Sequence, residues 1–427
     1  MNRAFFSLCA GVTACVLALQ FSSMAIAKGP ETVLYRFGGD PDGKAPSSLI
    51  DVNGTLYGTT SFGGTSAGCF HGCGTVFEVD EATGAESVVY SFCGESKKKL
   101  CDDGQVPGGL IKLKGKLYGE TELGGAHQGG TVFAFDPRTR RETILYSFCT
   151  QQSCTDGNEP NAGLIAVNGT LYGTTSFGGA YDHGMVFALD PSTGAETVLY
   201  SFCSGGHPCT DGDLPNGGLI AARGTLYGTT GRGGANCQSS LGCGTLFALD
   251  PTTGVETVLY SFCSQQNCTD GNEPSADMID VGGTLYGTTV TGGAYHDAGT
   301  VFAFNPDTGS ETVVYSFCQI LKTVCKDGAG PGGGLMELKG RLYGTTGAGG
   351  NAIVVCQSGC GTVFDLNPAT GAERVLYSFC SQKICKDGEI PRGLFNVTGT
   401  FYGTTAEGGR YSHHCYEGCG TVFTLRH

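Results

Sequence analysis

The chain has 427 residues, 73 of them glycine and none tryptophan, and its 25 basic and 39 acidic residues give a formal charge of −14. An acidic surface repels phosphate backbones, so nucleic acid is excluded as an expected partner.

In chain order, the first element is MNRAFFSLCAGVTACVLALQFSSMAIA. Arg3 supplies a short positive start, an apolar run follows, and Ala25-Ile26-Ala27 fits a small-residue cleavage site. Residues 1–27 therefore read as a secretory signal peptide. The apolar run is too short and too broken for a membrane span. Val12-Thr13-Ala14-Cys15 loosely resembles a lipid-attachment box, but the residues after Cys15 stay apolar, as in a continuing signal. No later run is long enough to cross a bilayer. Residues 28–427 are expected to be secreted or periplasmic, and monomeric.

The remainder is built from repeats. Seven LYSF-like strings are marked by Tyr35, Tyr90, Tyr146, Tyr200, Tyr260, Tyr315 and Tyr377, at a mean spacing of 57 residues. LYGTT-like and GTVF-like strings also occur seven times each. Each copy holds four short runs rich in β-branched and aromatic residues, as in GLIAV, TLYGTT, GMVFALD and ETVLYSF of the third copy. Asn168-Gly169 separates the first two runs as a hairpin turn, and Asp190-Pro191-Ser192-Thr193-Gly194 separates the last two. The expected unit is a four-stranded antiparallel meander.

Seven such units predict an all-β fold, a seven-bladed β-propeller. Blades are expected at about 49–92, 110–148, 164–202, 219–262, 278–317, 335–379 and 394–427. The first copy is a lone fourth strand, Glu31 to Phe37, and the last stops after a third strand, Gly420 to Leu425. Pairing of the N-terminal strand with the C-terminal blade would close the ring and remove its open edges.

The string ETVLYSF…DGxxP…GLI…GTLYGTTxxGG…GTVFALDPxTG resembles the Gloeo–Verruco (GloVer) tandem repeat over Glu31 to Arg426. That resemblance implies a repeat protein of the cell exterior. It brings no catalytic residues.

Twenty cysteines follow the signal segment, all in two kinds of loop. After the fourth strand come Cys93/Cys101, Cys149/Cys154, Cys203/Cys209, Cys263/Cys268, Cys318/Cys325 and Cys380/Cys385. Before the third strand come Cys69/Cys73, Cys237/Cys243, Cys356/Cys360 and Cys415/Cys419. Both members of a pair are present or absent together, and an even count in an exported chain agrees with ten local disulfides. A zinc site would favour a constant knuckle, whereas these gaps vary. We expect no metal and no cofactor.

Alternating strand direction puts both kinds of loop on one face, which is the expected interaction face. The binding candidates there are Tyr181, His183, Tyr295, His296, Tyr411 and His413. The alternative for these residues is solvated loop tips on blades far apart. The aspartate of Asp-Gly-x-x-Pro recurs in all seven copies, and is expected to accept backbone N–H bonds rather than to hold a cation. The third position of the first strand varies most, and Asp51, Asp280 and Glu337 are the channel carboxylates that a catalyst would use. No P-loop or H-E-x-x-H motif is present. The expected function is a binding or adhesion module engaging a surface glycan or protein. The alternatives are a purely structural exported protein and an extracellular polysaccharide hydrolase or lyase.

Overall fold

Strand-forming runs and turn signals alternate along the computed structural model, which describes residues 31–66, 68–69, 71–94, 101–236, 243–352, 356–411 and 415–426. The signal segment, Cys237 and His413 lie outside the described residues. The described chain forms seven antiparallel sheets, one per repeat. In blade 1 the strands run from inner to outer as Lys44–Val52, Thr55–Phe62, Thr75–Asp80 and Glu86–Ser91. Asn53 and Gly54 both adopt positive φ (58° and 86°) between the first two strands, as a two-residue primed turn requires.

The ring closes as the repeat pattern predicts. Glu31–Arg36 pairs antiparallel with Thr421–Arg426, with Glu31 opposite Leu425 and Arg36 opposite Thr421. This strand is the outer strand of blade 7, so the first and last parts of the chain share one sheet.

The core lies between the blades. Each LYSF phenylalanine packs edge-on against the GTVF phenylalanine of the next blade, at 5.0 to 5.3 Å between ring centroids. The seven pairs run from Phe37–Phe77 through Phe92–Phe133 to Phe379–Phe423. All are essentially buried, and full burial of such a side chain is worth roughly 1.5–3 kcal/mol. The pairs sit in seven apolar clusters, one at each seam, and the seam between blades 7 and 1 is packed like the others.

Hydrogen bonds repeat with the same period. In every copy the LYSF tyrosine donates its hydroxyl to the aspartate of the following Asp-Gly-x-x-Pro, from Tyr35 to Asp42 (3.0 Å) round to Tyr377 to Asp387 (2.7 Å). The same aspartates accept loop N–H groups, as Asp103 does from Cys93 (2.8 Å) and Asp270 from Ser264 (2.8 Å). These carboxylates thus tie the chain where it crosses from one blade to the next.

The inner strands differ among blades. In blades 1, 2 and 7 two residues separate the proline of Asp-Gly-x-x-Pro from the next leucine. There the inner strand is continuous, as in Gln105–Leu113, with one irregularity in register. In blades 3 to 6 three residues intervene, before leucine or, in blade 5, before Met278, and the strand divides, as into Asn158–Pro160 and Ile165–Val167. The extra residue leaves a short loop between the two pieces.

Candidate functional site: the loop face and the central channel

The loops that follow the second and fourth strands pack on each other. Gly125 donates its N–H to the Cys101 carbonyl (2.8 Å), and Gly293 donates to Cys268 (2.9 Å). Both kinds of cysteine loop therefore share one face. Nine cysteine pairs are bonded: Cys69–Cys73, Cys93–Cys101, Cys149–Cys154, Cys203–Cys209, Cys263–Cys268, Cys318–Cys325, Cys356–Cys360, Cys380–Cys385 and Cys415–Cys419. Cys237, proposed as the partner of Cys243, lies outside the described residues.

Where one blade carries both kinds of loop, its pairs meet. The sulfurs of Cys69, Cys73, Cys93 and Cys101 all lie within 4.8 Å of one another, as do those of Cys356, Cys360, Cys380 and Cys385. In blade 3, His183 and His207 take the place of the second pair beside Cys203 and Cys209. With their sulfurs joined in pairs, these groups offer no thiolate to a metal.

Of the six proposed binding residues, the five that are described stand on three different blades. Tyr181 and Tyr295 stand 50% and 43% exposed on blades 3 and 5. His183 is held by Asp213 at 2.9 Å, with its ring against His207. His296 sits at positive φ in a tight loop whose Asp297 accepts the Gly292 N–H at 2.6 Å. Tyr411, on blade 7, donates to the buried Glu389 at 2.9 Å.

The proposed channel carboxylates serve hairpin turns. Asp51, Asp280 and Glu337 accept the N–H of Gly54, Gly283 and Gly340 at 2.6 to 2.7 Å. None of the three borders the central cavity of about 870 Å³. Its wall is instead made largely by the segment after each Asp-Gly-x-x-Pro proline, including Ser47, Gly108, Asn161, Asn216, Asp277 and Arg392. Sequence reasoning missed Asp277 and Arg392. The available signal was their departure from the small or polar residues of the other copies.

Behind this wall runs a ring formed by the first threonine of each GTT. Thr59 and Thr404 donate to the Gly108 and Ser47 carbonyls of the next blade, at 2.6 and 2.8 Å. Where the next blade carries the three-residue loop, Thr174, Thr229 and Thr288 are buried with no hydrogen-bond partner among the described residues. In blade 2 the position is Glu120, which is 1% exposed and accepts the Gly163 N–H at 3.0 Å. Burial, reinforced by nearby Asp277, pushes Glu120 up to about 8, so it is largely protonated at neutral pH. Asp277 shows surface to the channel, and desolvation by the protein around it raises its pKa although it accepts the Gly218 N–H.

The architecture defines a disulfide-rich seven-bladed β-propeller with a loop-bearing face and a central cavity. The chain belongs to the Gloeobacter/Verrucomicrobia repeat family, which matches residues 21–241, 148–325 and 209–423 in three overlapping stretches. No curated protein matches it. Among solved structures it is similar to the extracellular domain of a protein named as a hybrid two component system from B. thetaiotaomicron. That likeness has a TM-score of 0.51 at 10% identity, over 91% of this chain and 39% of that one. It is also similar to an oligogalacturonate lyase from Vibrio parahaemolyticus (TM-score 0.49, 10% identity, 93% of each chain). A third likeness is to a nidogen/laminin complex (TM-score 0.39, 14% identity, 63% of this chain and 79% of that one). At such identities these likenesses speak to the fold alone. No helix among the described residues is long and apolar enough to cross a membrane.

Proposed function

We propose that the protein is exported and acts as a rigid binding or adhesion module, engaging a surface glycan or protein through its loop face. One observation carries this reading. Of the ten large apolar side chains that stand exposed among the described residues, eight lie on that face or at the strand ends that reach it. They are Leu123, Phe177, Tyr181, Tyr295, Ile320, Leu321, Ile384 and Tyr416. Exposed apolar groups confined largely to one face favour that face as the contact surface. The pairwise-bonded cysteines beneath them lower the cost of ordering those loops on binding.

The hydrolase or lyase alternative requires two carboxyl groups that both reach substrate. Asp277 and Glu122 both border the channel, whereas Glu120 is sealed behind its wall. A glycan array and a panel of surface proteins, probed with the mature chain, test the binding reading. Retention that drops at least tenfold in Tyr181→Ser/Tyr295→Ser is expected. Retention indifferent to both substitutions, or turnover of a polysaccharide that Asp277→Asn abolishes, would reject it.

A further inference from the structure

The loop face carries one recess whose chemistry differs from the rest of the molecule. A cavity of about 540 Å³ lies where blade 7 closes the ring, bordered by Arg36, Ile384, Lys386, Gly409, Arg410 and Tyr411. Three of these six residues are cationic, on a chain whose acidic residues outnumber its basic ones by 39 to 25.

The repeat shows that two of the three are departures. Arg36 stands where the other six LYSF-like strings have serine: Ser91, Ser147, Ser201, Ser261, Ser316 and Ser378. Arg410 follows the Gly-Gly pair where the other copies have Thr65, Ala126, Ala180, Ala235, Ala294 and Asn351. The two come from opposite ends of the chain and meet only because the ring is shut. Scaffold needs do not explain them, since six blades fold without a cation at either position.

The cations are held and exposed. Arg36 donates its Nε to the Lys386 carbonyl at 2.8 Å, which fixes its guanidinium beside the Lys386 loop and leaves its two terminal nitrogens free of that bond. Arg36, Lys386 and Arg410 are exposed, and none makes an ion pair among the described residues. The nearby carboxylates bond elsewhere, Glu31 to Tyr377, Asp42 to the Tyr35 hydroxyl and the Gly38 N–H, and Glu389 to Tyr411, although Arg36 and Arg410 still act on Glu31 and Asp42 through space. Three like charges side by side repel one another, and an oxyanion relieves that repulsion.

We infer that this seam recess binds the oxyanion group of an acidic glycan, a carboxylate or a sulfate ester, with Arg36, Arg410 and Lys386 as its ligands. The inference rests on the proposed binding role of the loop face and names the class of partner. A saccharide is favoured over nucleic acid because the net charge of −14 opposes a long, dense polyanion, while a sparsely charged chain meets the local cations. Tyr411 and the 55% exposed Ile384 supply surface for the apolar faces of a sugar ring.

The test uses the mature chain with four probes: an alginate hexamer, an oligomeric dextran sulfate, neutral dextran and inorganic phosphate. The wild type is expected to bind alginate or dextran sulfate saturably, more weakly as salt rises, and to ignore neutral dextran. The alginate and dextran sulfate arms decide between carboxylate and sulfate. Arg36→Ser/Arg410→Ala restores residues that other copies carry, so its melting temperature should stay near wild type while affinity falls at least tenfold. Lys386→Thr, the residue at Thr155, Thr210 and Thr269 in other copies, is the second variant and should weaken binding several-fold. Equal affinity in the variants, or binding of inorganic phosphate alone, overturns the inference. If polymer is bound but only Tyr181→Ser/Tyr295→Ser weakens it, the loop-face reading stands and the seam site falls. If no array member and no probe is retained, both fall.

Discussion

At the scale of the residue, the repeat is legible where a side chain answers to its own strand, and opaque where it answers to a neighbour. The aspartate of Asp-Gly-x-x-Pro could be read as a backbone acceptor because its local turn requires one. The glycine of LYGTT could not, since its reason stands on the next strand. A Cβ at Gly228 would lie 2.4 Å from Cζ of Phe247, and the corresponding approach recurs in every blade, for example 2.5 Å between Gly287 and Phe302. Glycine is present so that the buried phenylalanine ring can lie across the strand. Gly228→Ala must displace that ring within a packed seam and is expected to cost about 1–3 kcal/mol by denaturant titration. Gly332→Ala is the control, because a Cβ there meets nothing within 4 Å. It should stay within about 0.5 kcal/mol of wild type.

At the scale of the element, period-2 patterning and turn signals locate all four strands of each blade, but they do not say what one extra residue does. The three-residue spacers Asn161-Ala162-Gly163 and Ser275-Ala276-Asp277 divide an inner strand that the two-residue spacer Gly108-Gly109 leaves whole. Spacer length decides between bulge and loop, but where the spacer then lies is set by the closed ring, which no single copy displays. That is why the channel wall, and Asp277 with it, was not found from the sequence, and why Asp51, Asp280 and Glu337 were sought there instead. The cysteine loops are the opposite case, because joint presence and absence in seven copies reveals a pair without any geometry. Their energetic contribution is limited by their length. Cys149→Ser/Cys154→Ser opens a loop with a sequence separation of 5, so the chain-entropy estimate for its removal is about 2 kcal/mol. The sharper effect is expected in limited proteolysis, with cleavage between residues 149 and 157 faster than in the wild type while the remaining blades stay resistant.

At the scale of the whole molecule, the seams carry a chemistry that no single blade contains. Each LYSF tyrosine gives its only proton to its own aspartate, while the outer-strand glutamate of the following blade approaches the same hydroxyl. Glu31 lies 3.2 Å from Tyr377, and Glu373 lies 3.5 Å from Tyr315. A protonated glutamate there completes the chain by donating to the hydroxyl oxygen, whereas an ionised one competes with the aspartate for its single proton. Burial first, and the adjacent aspartate second, push Glu31, Glu86, Glu256 and Glu311 up to about 7, and Glu142 and Glu373 up to about 8. Glu196 follows the same pattern at about 7. In the unfolded chain the same groups titrate near 4.5. The folded ring therefore holds more protons than the unfolded chain across the interval from about 4.5 to about 8. Wherever the native state binds the extra protons, stability falls as pH rises. The contribution of these seven groups is complete below about 4.5 and is lost as pH passes through 7 to 8. Urea midpoints should accordingly fall between pH 5.5 and pH 8.5. Glu142→Gln/Glu373→Gln, which keeps a donor at two seams without a titrating proton, should lose less over that interval than the wild type. A wild-type midpoint that rises with pH, or a double variant with an unchanged slope, would mean that the seams do not share protons in this way and that each aspartate and tyrosine acts within its own blade.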